Sequence, residues 1–390
     1  ASLSSAALSR QPVNAPATLN NAQMQAVQHL HGPCLVLAGA GSGKTRVITH
    51  KIGRLIQAGL EPQRIAAITF TNKAAAEMRE RAKSLIGRDA KSVLVCTFHA
   101  LGVRMLRQDG AALGLKPQFS ILDSDDVTGI LKDAGGSTDI ATARQWQWTI
   151  SAWKSAGLNA EQALAQAADD NERVTAVVMG RYEERLTAYQ SVDFDDLISL
   201  PTRLLQANPE LREKWQNRVR YLLVDEYQDT NTAQYLLVKL LVGVQARFTA
   251  VGDDDQSIYG WRGAEASNIL EFAQQFPGAK VVKLEENYRS TRPILEAANA
   301  VIAKNEKRHG KTLWTSREGG EPIDLVAAPD EQAEATFVAE TIDYLVAHKR
   351  FQLRDIAHVS RLVAELAIDL RQRRRAQRVV PFTEVDQQQG

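Results

Sequence analysis

The chain has 390 residues, 44% hydrophobic and 24% charged, which provides apolar material for two or three domains and excludes a fibrous or disordered protein. Forty-seven basic against forty-six acidic residues leave a net charge of +1, so any nucleic-acid surface has to be a local patch rather than a global field. The two cysteines, Cys34 and Cys96, lie in apolar strand-like runs without metal-ligand spacing and read as buried thiols of a cytoplasmic protein; no run of about 18 apolar residues marks a membrane span.

In chain order, Ala1 to Thr18 is rich in Ser, Ala and Pro and reads as a flexible leader. Leu19 to Gln23 then opens a helix. A carboxamide such as Gln23 can pair with N6 and N7 of adenine, but Asn20 followed three residues later by Gln23 is also a capping box, and the local pattern favours the cap. The apolar run Cys34 to Leu37 leads into Ala38-Gly39-Ala40-Gly41-Ser42-Gly43-Lys44-Thr45 and a helix running to Ala58. Glycines let backbone N–H groups converge on an anion, Lys44 reaches outer phosphates and the Thr45 hydroxyl can ligate magnesium. Ala38 stands where this pattern carries glycine, a mild departure because Gly39, Gly41 and Gly43 still supply the freedom for positive φ.

The next strands, Ile65 to Phe70 and Val93 to Thr97, end in polar and aromatic residues: Phe70 and Asn72 after the first, His99 after the second. Open α/β sheets place ligands at that end of their strands, and an aromatic there can stack on a base; core packing of Phe70 and a structural His99 are the competing readings. From Ala100 to Trp215 the pattern is amphipathic helix almost throughout, implying an inserted helical domain in which Trp146, Ile150 and Trp153 form a core stripe. Tyr221 to Val224 is a strand ending in Asp225 and Glu226, a pair suited to holding magnesium and polarising water, so hydrolysis of a phosphoanhydride is the favoured chemistry.

Phe248 to Val251 runs into Gly252-Asp253-Asp254-Asp255-Gln256, and Tyr259, Trp261 and Arg262 follow within six residues. An amide able to sense a γ-phosphate, joined so closely to stacking rings and a cation, forms a lever between nucleotide state and a nucleobase. The competing reading is two rings closing a domain interface. A strand at Val281 to Leu284, a helix at Pro293 to Lys304, a polar linker at Asn305 to Glu321, a strand at Ile323 to Ala327 and a helix at Glu331 to His348 complete the pattern. Arg371, Arg373, Arg374, Arg375 and Arg378 either touch a phosphate backbone or end a solvated helix. Together the strands predict an α/β fold with a mostly parallel sheet covered on both faces.

These segments, with Tyr221 to Asn231, Glu286-Asn287-Tyr288-Arg289-Ser290 and Asp193-Phe194-Asp195-Asp196-Leu197, resemble the superfamily 1 DNA helicases of the UvrD/Rep/PcrA type from Leu19 to about Ile356. The resemblance implies a P-loop (RecA-like) motor domain over 19–86 and 197–280, an inserted all-helical domain over 87–196 and part of a second RecA-like domain over 281–390. It implies ATP and Mg2+ as cofactors. Gln23 would recognise adenine and Tyr288 stack on it, while Gly39, Gly41, Ser42, Gly43, Lys44, Thr45 and Arg46 would hold phosphates and, through Thr45, metal. Asp225 would be the metal ligand and Glu226 the catalytic base, with Gln256 and Arg289 on the γ-phosphate. Phe70, Asn72, His99, Tyr259, Trp261 and Arg262 would line a single-strand track.

The implied activity is 3′ to 5′ movement on single-stranded DNA with strand separation in replication or repair. The implied partners are single strands, single/double-strand junctions and replisome or repair proteins, without a membrane. Two later family motifs, one carrying a second γ-phosphate arginine, are not found, and the segment from His358 fits the family's strand and helix poorly. An incomplete form is therefore expected, binding ATP and weakly binding DNA, with a loss of roughly a thousandfold or more in rate from the missing arginine. The alternative is a DNA- or partner-binding module whose ATP site is structural or regulatory.

Overall fold

Strands buried at every position have to be covered on both faces; Pro33–Ala38, Ile65–Thr69, Tyr221–Val224 and Phe248–Gly252 are such runs, and with the partly exposed edge strands Leu94–Thr97 and Lys280–Leu284 they pair into one parallel sheet. The structure is a computed structural model that describes residues 18–349 and 351–357. The leader before Thr18, the Arg371 to Arg378 cluster and the tail from His358 lie outside the described residues. In chain order the strands are β1 (Pro33–Ala38), β2 (Ile65–Thr69), β3 (Leu94–Thr97), β4 (Ser120–Ile121), β5 (Ser191–Val192), β6 (Tyr221–Val224), β7 (Phe248–Gly252) and β8 (Lys280–Leu284). The main sheet has the order β3-β2-β6-β7-β1-β8, all neighbours parallel, and β4 and β5 form a separate two-stranded pair.

Side chains alternate across the sheet and so divide the core in two. Leu35 and Leu37 of β1 face one layer with Phe98, Leu222, Leu237 and Phe248, whereas Cys34, Val36 and Ala38 face the other with Val47, Ile48 and Ile52. Helices start directly from the strand ends because capping residues stand there: the Thr71 hydroxyl accepts from Ala74 N–H before the helix Asn72–Ile86, and Thr97 accepts from Ala100 N–H before Phe98–Asp109. Because all neighbours are parallel, the carboxyl ends of the six strands lie at the same edge. The catalytic candidates are all delivered to that carboxyl edge.

The inserted helices Ser124–Gly135, Ile140–Ser155, Ala160–Gln166 and Asp170–Tyr189 enclose their own core around Leu131, Ile150, Met179 and Tyr182, with Trp146 and Trp153 packed on it. Trp148 is different: it is 75% exposed. The insert is fastened by a buried charge network in which Lys154 Nζ donates to Asp193 at 2.6 Å and Asp196 at 2.7 Å, and the Tyr182 hydroxyl donates to Asp193 at 2.8 Å.

Several expected boundaries shift. The sheet includes β3, which pairs with β2, so the chain leaves the core after the helix Phe98–Asp109 rather than at 87. It also includes β8, paired to β1, and the compact units divide between Glu321 and Pro322. In the second unit the helix Glu331–His348 forms, but Ile323 to Ala327 forms no strand. Its apolar residues have no sheet neighbour among the described residues to accept the ladder. The supposed polar linker is in fact pinned: Lys311 is 4% exposed. No described helix is long and apolar enough to cross a membrane.

Helices Phe98–Asp109 and Asp196–Ala207 approach so closely that a Cβ at Gly102 would lie 1.7 Å from Leu197 O. Gly102→Ala is expected to destabilise the chain by about 1–3 kcal/mol through overpacking, read as a lower denaturant midpoint at unchanged slope.

Candidate functional site

A tight turn between β1 and the helix Lys44–Gln57 requires glycine at two positions: Gly41 has φ +71° and Gly43 φ +90°. At Gly41 a Cβ would also lie 2.7 Å from both Asn287 Nδ2 and Arg289 Cβ, because the 286–290 loop is pressed against this turn. Tyr288 N–H donates to Gly41 O at 3.0 Å, and Asn287 accepts from Arg289 and Ser290 N–H at 2.8 and 2.7 Å. Sequence segments 246 residues apart (287 minus 41) are thereby fixed in one wall of a cleft.

That cleft has a volume of about 880 Å³ and is lined by Gln23, Gly41, Gly43, Lys44, Thr45, Arg46, Glu226, Gln256, Tyr288 and Arg289. Gly39 and Ser42 lie behind the lining; the Ser42 hydroxyl braces the turn by donating to Gly39 O at 2.7 Å. Arg46 presents a buried guanidinium nitrogen that has no hydrogen-bond partner among the described residues, as an anion site requires. Gln23 forms the capping box, accepting from Asn20 N–H at 3.1 Å and donating Nε2 to Ser42 O at 2.9 Å. The capping box is therefore present, and the amide, with one N–H and one lone pair so engaged, still lines the cleft.

The opposite wall comes from β6. Glu226 adopts φ 50°, ψ 44°, a left-handed conformation that is uncommon for a residue with a side chain and that turns its carboxylate back across the cleft. There it accepts from Lys44 Nζ at 2.7 Å and from Gln228 Nε2 at 2.9 Å. Gln228 is buried and uses its other end to accept Asp253 N–H at 3.0 Å, while Asp253 accepts from Gln256 Nε2. A continuous polar chain therefore links Lys44 to Gln256 through Glu226, Gln228 and Asp253.

On the far side of that chain lies a second groove of about 780 Å³, lined by Phe70, His99, Gln256, Tyr259 and Arg262 and also by Glu226 and Gln228. Tyr259 and Trp261 are 39% and 68% exposed, and the Arg262 guanidinium lies 4.4 Å from the Trp261 ring centroid and 5.4 Å from that of Tyr259. Neither ring closes an interface within the first compact unit. Phe70 serves both readings, packing edge-on against Phe98 at 5.6 Å while lining the groove. His99 lies 4.8 Å from the Phe194 ring, and burial lowers its pKa, keeping the imidazole neutral. Asn72 is exposed in the first turn of its helix and, like Trp261, stands outside the groove lining.

Residues 19–277 match the UvrD/REP helicase N-terminal domain, and residues 282–389 match the UvrD-like helicase C-terminal domain. The chain belongs to the UvrD/REP helicase family. It is 49% identical over 347 residues to the ATP-dependent DNA helicase Rep of Escherichia coli, covering 87% of this chain and 51% of Rep. It is 46% identical over 353 residues to the ATP-dependent DNA helicase PcrA of Leuconostoc citreum (89% and 47%) and 45% identical over 350 residues to the probable DNA helicase II homolog of Rickettsia felis (87% and 53%). The chain spans about half the length of the curated relatives it matches. Family members of this type use ATP with a divalent metal.

The donor set here suits such an ion. Asp225 is 6% exposed, and the only hydrogen bond its carboxylate accepts among the described residues comes from Glu226 N–H. Thr45 lines the cleft, whereas Asp225 lies behind the lining next to Glu226; a carboxylate and a hydroxyl are hard oxygen donors of the kind such an ion takes. Burial, and next the Glu226 carboxylate, push the pKa of Asp225 up to about 6; Asp229 is pushed to about 6 for the same two reasons. Sequence reasoning overlooked Gln228, Arg81 and Phe194. Gln228 sat inside a recognised motif whose carboxylates drew the attention; Arg81 lines the cleft from a helix that reads simply as amphipathic, and Phe194 was visible as an aromatic beside the acidic run of Asp193, Asp195 and Asp196.

Because the folded-state pKa of Asp225 is raised above the usual 3.8, the folded chain binds more protons than the unfolded chain between about pH 4 and 6. Stability therefore falls as pH rises through that window. Asp225→Asn is expected to raise the thermal midpoint above pH 6 in metal-free buffer and to converge with the parent below about pH 4, while metal-dependent nucleotide hydrolysis is lost.

Proposed function

We propose that this chain is the ATP-hydrolysing, strand-gripping part of a DNA motor: nucleotide in the cleft controls how residues on the adjoining groove hold single-stranded DNA. The observation that carries this reading is the shared wall, since Glu226 and Gln256 line both spaces and Gln228 connects them. A simple ATPase has no use for stacking rings on the far side of its catalytic carboxylate.

In this reading the phosphates lie on the backbone N–H groups of the Gly39 to Gly43 turn and on the helix N-terminus, with Lys44, Arg46 and Arg289 supplying charge. Tyr288 is the ring available to adenine, and Gln23 holds the turn in shape. Phosphate oxygens compete for Lys44, which releases the Glu226 carboxylate from its 2.7 Å ion pair and frees it to accept a proton from the attacking water. Thr45 and Asp225 would hold a divalent cation, magnesium in this reading, which would supply neutralising charge to the phosphates. Gln228 keeps its bond to Asp253 throughout, so the rearrangement of Glu226 reaches Gln256 and the Tyr259 to Arg262 segment.

On the groove side, Phe70, His99, Tyr259, Trp261 and Arg262 meet unpaired bases by stacking, with Asn72 at the rim. Strand separation with 3′ to 5′ polarity at single/double-strand junctions, among cytoplasmic replication or repair proteins, is the activity we assign to the whole motor; its similarity to the ATP-dependent DNA helicases Rep and PcrA supports strand separation.

Lys44→Ala is expected to abolish ATP turnover stimulated by single-stranded DNA while leaving DNA binding without nucleotide near the parent value; turnover that ignores DNA would refute the motor reading. Trp261→Ala is expected to weaken oligothymidylate binding by about 1–3 kcal/mol, measured by fluorescence anisotropy, with nucleotide affinity retained.

A further inference from the structure

Three adjacent carboxylates, those of Asp253, Asp254 and Asp255, come together closely enough to hold a metal ion. The place is already taken by an ammonium. Lys311 Nζ lies 2.6 Å from Asp253, 2.7 Å from Asp254 and 2.6 Å from Asp255, with its side chain 1% exposed. Arg308 adds a bidentate pair to Asp255 at 2.8 and 2.7 Å, and His309 N–H donates to Asp254 at 2.7 Å. Such a buried, geometrically fixed set of charges resists separation, because removing one partner leaves the others unpaired in a low dielectric.

From this anchor the chain continues as a strap to the nucleotide cleft. The Leu313 side chain covers Gly39, where a Cβ would lie 2.2 Å from Leu313 Cδ2. Trp314 N–H donates to Glu285 O at 2.9 Å and Trp314 O accepts from Asn287 N–H at 2.7 Å; Asn287 in turn positions the backbone of Arg289. The other end of the anchor is Asp253, which accepts from Gln256 three residues before Tyr259. The strap is thus bonded at one end to the loop that carries Arg289 and at the other to the turn that carries the stacking residues.

We infer that Lys311 is a positioning residue for coupling: its ammonium locks the Asp253 to Asp255 turn to the Arg308 to Thr315 strap, so that nucleotide at the Arg289 loop and DNA at Tyr259 and Trp261 act on one rigid body. This is a second route beside Gln228, and it rests on the motor reading proposed above. Lys311 touches neither nucleotide nor DNA. Its loss acts on the dependence of one ligand on the other rather than on either affinity alone.

The test is the dissociation constant of a labelled oligothymidylate for the full chain, with and without a non-hydrolysable ATP analogue and Mg2+, in the parent, Lys311→Met and Arg308→Gln. The parent is expected to change its DNA affinity on nucleotide binding by about tenfold, and Lys311→Met to bring that factor toward one with each separate affinity kept within about threefold. Should Lys311→Met fail to fold, Arg308→Gln, which keeps the central ammonium, decides the matter by a partial loss of the factor. A residue with a merely structural role lowers the thermal midpoint and leaves the factor unmoved; that result in a folded variant overturns the inference. A parent that binds neither DNA nor nucleotide overturns the motor reading itself.

Discussion

The carboxylate of Glu226 is shared between two donors, Lys44 on the nucleotide side and Gln228 on the interior side, and the organisation of the sheet edge depends on that sharing. It is possible only because β6 ends in a left-handed turn, which a residue with a side chain adopts at a cost of order 1–3 kcal/mol. Parallel pairing places β6 and β7 between the strands that lead to Phe70 and His99 on the groove, β2 and β3, and those that lead to the glycine turn and the 286–290 loop on the cleft, β1 and β8. The central strands are therefore the one place where a single side chain can line both spaces.

Charge is distributed around this edge in two ways. Where the role is architectural, each carboxylate has a cationic partner: Lys154 joins Asp193 and Asp196 beneath the inserted helices, although burial and Asp193 still push Asp196 up to about 7, and Lys311 and Arg308 join the three aspartates after β7. Where a ligand is expected, compensation is partial, since Lys44 pairs with Glu226 alone. Asp225 and Asp229 are both pushed up to about 6 by burial and by Glu226, and Arg46 keeps an unpartnered buried nitrogen. Buried groups left this way favour a fold that gains stability when triphosphate and cation arrive, which is the ordinary balance between stability and activity at such sites.

All six strands of the main sheet were legible in the sequence, because runs such as Leu222 to Val224 are apolar at consecutive positions and end in polar residues such as Asp225 and Glu226. The phosphate turn was legible for a related reason: its glycines answer to backbone geometry, as the contact between Gly41 and Asn287 demonstrates. What escaped was long-range pairing. Lys311 reads as one more polar residue in a linker, since nothing local reveals three carboxylates fifty-six to fifty-eight positions earlier (311 minus 255 and minus 253). Gln228 escaped because its bond to Asp253 spans 25 positions, and only the pairing of β6 with β7 makes those two neighbours. Likewise the expected strand at Ile323 to Ala327 had the right composition, yet a strand exists only through a partner, and composition does not report one.

The most direct test of the shared wall is the affinity for an ATP analogue measured with and without saturating oligothymidylate, in the parent and in Gln228→Leu, which removes both amide ends at similar volume. The account predicts that DNA changes nucleotide affinity in the parent, by the same factor with which nucleotide changes DNA affinity, and that the factor falls sharply in Gln228→Leu. A parent in which the two ligands bind independently, or a folded Gln228→Leu variant with the full factor intact, would contradict it.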